Sequence, residues 1–323
     1  MSTTTREERL ASRVDELSAN DPQFAAAKPN PAIAEALEQP GLRLSQVIQT
    51  VLEGYADRPA LGQRAVGFVN DPNTGRTVLD VLSRFETITY RELGDRAAAV
   101  ARALTDDSLQ AGDRVAVLGF TSVDFTTLDV ALMLADAVSV PLQTSAAAAQ
   151  LQPIVTETEP TVFAASLNQL PDAVELILES GHAPAKLLVF DYHPEVDDER
   201  EAVETARTQL AGTQVTIETL AEVLERGKAL PAEPVSQPDD DDPLALLIYT
   251  SGSTGAPKGA MYPQSNVGKM WRRGSRNWFG PSAASITLNF MPMSHVMGRG
   301  TLYGTLGNGG TAYFAARSDL STL

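Results

Sequence analysis

The chain has 323 residues, 43% of them hydrophobic, and sets 25 Lys and Arg against 41 Asp and Glu for a formal net charge of -16 and a pI near 4.6. So acidic a chain argues against a broad phosphate-backbone footprint, and hence against nucleic acid as a partner. With no cysteine, disulfides, thiolate zinc sites and cysteine nucleophiles are excluded together.

At this length the chain suits about two domains, or one large domain in several layers. The opening residues MSTTTREERLASRVDELSANDPQF carry charge throughout and have no apolar run with a small-residue cleavage site, so they do not read as a secretory signal. No apolar run reaches the roughly 18 residues of a spanning helix. A cytoplasmic protein without a membrane span is the expectation.

Taken in chain order, residues 4 to 57 read as helix: Leu10, Val14 and Leu17 recur at helical spacing, and LSQVIQTVLEGY puts Val47, Ile48, Val51 and Leu52 on one face. Pro29, Pro31 and Pro40 divide this stretch into short helices. A further helix is predicted at ITYRELGDRAAAVARALTDD, with Thr89 as N-cap and Glu92 as its capping-box partner. DRVAVLGF is then the short apolar run of a central parallel strand. Helix and apolar strand go on alternating: TTLDVALMLADA before VSVPL, TETEP before TVFAAS, and a helix near Leu170 to Ser180 before AKLLVFDY. That spacing is the one βαβ units need, so the fold class is α/β, with parallel sheets flanked by helices. VETARTQL and IETLAEVLERGKAL read as helical again. PAEPVSQPDDDDP reads as a solvated acidic linker, since consecutive aspartates make poor metal geometry. The expected division is a helical segment at 1–60, a first α/β subdomain at 61–235, and the linker with the start of a second at 236–323. No internal repeat is evident.

Residues 244–259 place an apolar strand, Leu244 to Tyr249, before the string YTSGSTGAPKGA, with a helix expected near Pro263. Glycines allow close backbone approach, hydroxyls and N–H groups donate to anionic oxygens, and lysine neutralises charge, so phosphate is the natural ligand. By composition alone such a stretch is more often a flexible loop than a binding site. The spacing is not that of a Walker A loop, since Lys258 is followed by Gly259 rather than by Ser or Thr. It is not a dinucleotide fingerprint either, and it lacks the GxSxG of a nucleophile elbow. GNGG at 307–310 reads as a turn between strands. His182, His193 and His295 lie too far apart for an HExxH site, and no metal-ligating set is expected.

The whole string resembles the signature loop of the adenylate-forming superfamily, which includes acyl-CoA synthetases, luciferases and peptide-synthetase adenylation domains. Every position of Y/F-T-S-G-S/T-T-G-x-P-K-G is met from Tyr249 to Gly259. VPLQTSAAAAQLQPIVTETEPTVFAAS, VFDYHPEVDDEREAVE and NFMPMSHVMGRGTLYGTLGNGGTAYFAARSDLSTL narrow the likeness to the adenylation domain of the actinobacterial carboxylic acid reductases, nearly end to end. Asp136 departs from that pattern, standing where relatives carry glycine.

The resemblance implies that ATP and Mg²⁺ activate a small-molecule carboxylic acid as an acyl-adenylate. In the parent protein the acyl group would pass to a phosphopantetheine thiol on a carrier domain, and a reductase domain would release it with NADPH as aldehyde. An acyl-CoA or acyl-AMP ligase and a non-catalytic binding fragment are the alternatives. The resemblance assigns Thr250, Ser251, Gly252, Ser253, Thr254 and Gly255 to the phosphates, Lys258 to a supporting electrostatic role, and His295 to the adenylate and acyl pocket. Met291, Met293, Val296 and Met297 are either a wall for the acyl group or core. Trp271 and Trp278 read as structural. The motifs that complete the family's site lie beyond residue 323, so the fragment alone is expected to be inactive and to expose apolar surface.

Overall fold

A computed structural model of the chain describes residues 5–231, 240–250, 257–273 and 285–315. Four helices open it: α1 (Arg6–Asn20), α2 (Pro22–Ala26), α3 (Pro31–Leu37) and α4 (Leu44–Gly54). Pro22 and Pro31 start α2 and α3, where the missing N–H costs nothing, behind Asp21 and Asn30 as N-caps. The predicted face of α4 is buried, whereas Leu10 on α1 is exposed.

A long hairpin follows, β1 (Pro59–Asn70) and β2 (Thr77–Thr89), and then α5 (Tyr90–Asp106), with the predicted Thr89–Glu92 capping box in place. The expected alternation comes next: β3 (Arg114–Leu118), α6 (Val123–Leu134), β4 (Val138–Leu142), α7 (Ala148–Thr158), β5 (Val162–Ser166), α8 (Leu170–Glu179), β6 (Lys186–Phe190), α9 (Asp197–Leu210), β7 (Thr216–Thr219) and α10 (Leu220–Ala229). β7 corrects the helical reading of IETLAEVLERGKAL: IET pairs with β6, and the helix begins only after Thr219, which caps it. The described part ends with β8 (Leu244–Thr250), β9 (Lys258–Pro263), α11 (Gln264–Arg273), β10 (Ile286–Asn289), α12 (Val296–Gly307) and β11 (Thr311–Phe314). GNGG at 307–310 is therefore a turn from helix to strand and not between strands, since α12 runs on to Gly307.

Among the described residues the strands form two sheets. The larger runs β7-β6-β5-β3-β4-β8-β9, parallel except for β9 at its edge. The smaller, β10-β11-β1-β2, joins the early hairpin to two late strands and is mixed rather than wholly parallel. Strands from both sides of the acidic segment therefore share each sheet. β4, β5 and β6 are buried at every position, as strands covered on both faces must be. Alternate residues feed opposite cores: Val115 and Val117 belong to the core that includes α4, α5, α6 and α10, while Ala116 and Leu118 belong to the one that includes α7, α8 and α9. Helix α6 is buried nearly all round because it lies inside this stack.

The connection β3–α6–β4 runs on one face of the sheet and β4–α7–β5 on the other. The strand order thus reverses between β3 and β4, which opens a crevice beyond their carboxyl ends, where ligands bind in sheets of this kind. β8 lies beside β4 and runs parallel to it, so its carboxyl end, Thr250, reaches the same edge.

Candidate adenylate site

β8 and β9 are antiparallel, with Thr250 opposite Lys258 and Tyr249 opposite Gly259. The signature string therefore leaves and re-enters the sheet at one rung. Directly opposed residues share a face with their Cβ atoms about 5 Å apart, so the Thr250 and Lys258 side chains leave the same face of the rung, and both residues are exposed. Ser251, Gly252, Ser253, Thr254 and Gly255 lie outside the described residues. One rung further in, a Cβ on Gly259 would stand 3.0 Å from the Tyr249 ring, so the glycine makes room for the tyrosine. Burial, with Glu157 of α7 adding to it, pushes the Tyr249 phenol up to about 12, so at neutral pH it is an uncharged donor.

His295 is the N-cap of α12: its Nδ1 accepts the Met297 N–H at 3.2 Å. That bond places the proton of the neutral ring on Nε2, a donor facing away from the helix. The turn before it is tight. His295 N–H donates to the Pro292 carbonyl at 3.1 Å, and a Cβ on Gly298 would come within 2.3 Å of the same oxygen. Of the four neighbouring apolar residues, Met293 is core and Val296 packs against the core, whereas Met297 is exposed and Met291 half-buried. Ile286 and Leu288 of β10, and Phe290 directly after it, are exposed as well. Trp271 is structural, buried and stacked on Tyr303 with ring centroids 4.7 Å apart; Trp278 lies outside the described residues.

Beneath His295 lies a group that the sequence reading missed. Asp129 of α6 and Arg299 of α12 are fully buried and form an ion pair. The Tyr303 hydroxyl donates to the same carboxylate, and Ser139 of β4 donates to its Oδ1 at 2.8 Å. Arg299 Nη2 donates to Ser139 Oγ at 3.2 Å, and its Nε to the Met293 carbonyl at 2.8 Å. Burial and the Asp129 charge push the Tyr303 phenol well up, which keeps it a donor. Ser139 pairs in register with Leu246 of β8, so a continuous set of contacts links the His295 turn to the strand that ends at Thr250. A lone aspartate inside the apolar run TTLDVALML was the available signal.

Two other polar places are built differently. Beyond β6, partly buried Asp191 holds its backbone N–H on Asp124, and His193 pairs with Glu199 at 3.3 Å. A cavity of about 470 Å³ opens at the amino ends of β5, β6 and β7, opposite the crevice, where Lys186 and Arg226 are paired with Asp107 and Glu218. His182 bonds the Pro160 carbonyl. Among the described residues there is no cluster of three or more His, Asp or Glu that could hold a metal, and no helix is long and apolar enough to cross a membrane.

The family described as AMP-binding enzyme matches residues 62–322. The carboxylic acid reductase of Mycobacterium tuberculosis is 64% identical over 98% of this chain, and that of Mycobacterium marinum 60% identical over 100%. The chain spans only 27% and 28% of those proteins. Among solved structures, the A-PCP didomain of the Segniliparus rugosus carboxylic acid reductase in complex with AMP superposes with a TM-score of 0.92 and 52% identity, covering 97% of this chain and 44% of that one. The A domain of that reductase, in complex with AMP and a co-purified carboxylic acid, gives 0.92 and 50%, covering 97% and 51%. Similar in sequence and fold to the adenylation region of carboxylic acid reductases, the chain belongs to the AMP-binding enzymes.

Proposed function

We propose that this chain supplies the phosphate-gripping and acyl-facing parts of a site that activates a carboxylic acid with ATP. The observation that carries the reading is the Thr250–Lys258 rung, which sets a hydroxyl and an ammonium at the mouth of the signature string, beside the crevice where the strand order reverses. In the reaction a carboxylate oxygen attacks the α-phosphorus, the bond to the β-phosphate oxygen breaks, and acyl-adenylate and pyrophosphate form. The chain's task is charge management and alignment. Thr250 and Lys258, with Ser251, Gly252, Ser253, Thr254 and Gly255, would hold the phosphates. His295, with Nδ1 engaged by its own helix, would turn Nε2–H to the adenylate and acyl group. Met297, Leu288 and Phe290 offer the apolar side of that space.

Magnesium would enter with ATP and neutralise its phosphates; no cluster among the described residues fits it as a resident ion. By likeness to the reductases, the acyl group would pass in the full-length protein from adenylate to a carrier-domain phosphopantetheine thiol, releasing AMP. NADPH hydride would then free it as aldehyde, returning the thiol. Cytoplasmic residence goes with this reading.

The test is carboxylate-dependent exchange of labelled pyrophosphate into ATP by the full-length protein. Exchange lost on changing Thr250 and Lys258 to Ala supports the reading; exchange that does not depend on any carboxylate, or that survives both changes undiminished, defeats it.

A further inference from the structure

We propose that Arg299 is a positioning residue for His295: its buried guanidinium, anchored on Asp129 and Ser139, clamps the Met293 carbonyl and so fixes the turn that aims the imidazole. This deepens the reading of His295 as a pocket residue and rests on it.

The argument starts from the cost of the arrangement. Burying a carboxylate and a guanidinium costs several kcal/mol per ion, and such pairs are often no more stabilising than apolar residues of similar volume. What they offer instead is direction. All three nitrogen groups of Arg299 are used, and each points to a different element: Nη1 to Asp129 on α6, Nη2 to Ser139 on β4, and Nε to the carbonyl of Met293 in the turn. Only this rigid, planar fork holds three acceptors at once; an ammonium on a flexible stem does not. The clamped carbonyl is two residues before His295, and the His295 carbonyl in turn accepts the Arg299 N–H at 3.3 Å. The turn is thus held at both ends by the same residue. Because Asp129 and Ser139 belong to α6 and β4, the imidazole is referenced to the strand next to β8 and not only to its own helix.

Two variants separate positioning from stability. Arg299→Lys keeps the charge opposite Asp129 and loses the bond to Met293. Tyr90→Phe removes a buried hydroxyl bonded to the Leu306 and Gly310 carbonyls at the far end of α12, at 3.0 and 2.7 Å, and leaves the fork intact. The chain's three histidines allow imidazole ¹⁵N signals to be followed singly. In R299K the His295 signals are expected to move from the Nε2–H pattern towards a mixture of tautomers, while Y90F keeps the pattern and only lowers Tm. In the full-length protein, R299K is expected to lower kcat for pyrophosphate exchange about tenfold, with KM for ATP within about twofold. Should R299K not fold, Ser139→Ala, which removes one anchor and little volume, is read instead, with the same imidazole change expected. Unmoved His295 signals in the folded variant, or a kcat that falls in R299K and Y90F alike in step with Tm, overturn the proposal. Absence of carboxylate-dependent exchange in the unaltered protein would defeat the functional reading alone, since the imidazole comparison still decides the positioning.

Discussion

Thr250 and Lys258 stand opposite each other on the last rung between β8 and β9, so the two ends of the signature string are held as one unit by the sheet. The backbones of the two residues are fixed relative to each other by main-chain hydrogen bonds, so both side chains start from one rung.

Lys258 is exposed, so its removal should change binding and not stability. Lys258→Ala is expected to weaken ATP by about 1.4 kcal/mol, roughly tenfold, and AMP much less, with Tm unchanged. Titration calorimetry with both nucleotides checks this; equal losses for ATP and AMP would place the ammonium away from the terminal phosphates.

Gly259 is set by its neighbour. Gly259→Ala puts a methyl 3.0 to 3.3 Å from three atoms of the Tyr249 ring, a modest overpacking expected to cost about 1 kcal/mol. In the Tyr249→Ala background the same change should cost nothing. A double-mutant cycle by denaturant melts measures the coupling, and additive losses would mean that the ring is not what excludes a side chain there.

Asp136 has φ of 53°, the left-handed region that favours glycine, and its Oδ1 accepts from buried Gln264 Nε2 at 2.6 Å. Asp136→Gly relieves about 1 kcal/mol of backbone strain but strands the Gln264 amide at a cost of about 1–3 kcal/mol. A net loss of roughly 1 kcal/mol is expected, largely restored by adding Gln264→Leu. If D136G melts higher than the parent, strain outweighs the hydrogen bond.

Stability should fall as pH rises. Burial and the adjacent Asp124 carboxylate push Asp191 up to about 8, and the hydrogen bond to Glu199 raises His193. Both groups hold a proton more tightly folded than unfolded, so each contribution is full below the unfolded value and is lost as pH climbs through the folded one. For Asp191 the loss runs from the ordinary carboxylate range to about 8, at up to about 1.4 kcal/mol per pH unit. Melts of Asp191→Asn across that range should be markedly flatter than those of the parent, and parallel curves would show that Asp191 is ionised throughout.

What could be read from the sequence was local. The Thr89–Glu92 capping box, the buried face of α4, the division of the first stretch into short helices and the apolar parallel strands each depend on residues within a turn or a strand of one another. The signature string was legible in the same way; at Asp136 the sequence marked only a departure from the family pattern, and the left-handed backbone appeared with the structure. Tertiary structure decided the rest. KGAMYP is largely exposed and lacks an alternating pattern; it is a strand because β8 offers it a ladder. The β1–β2 hairpin finds its sheet partner only at β11, about 250 residues on. Asp129 and Arg299 are 170 residues apart, and nothing near either announces the other. Pairing across such distances is set by which surfaces the folded chain brings together, a property of the packed core and not of any window of sequence.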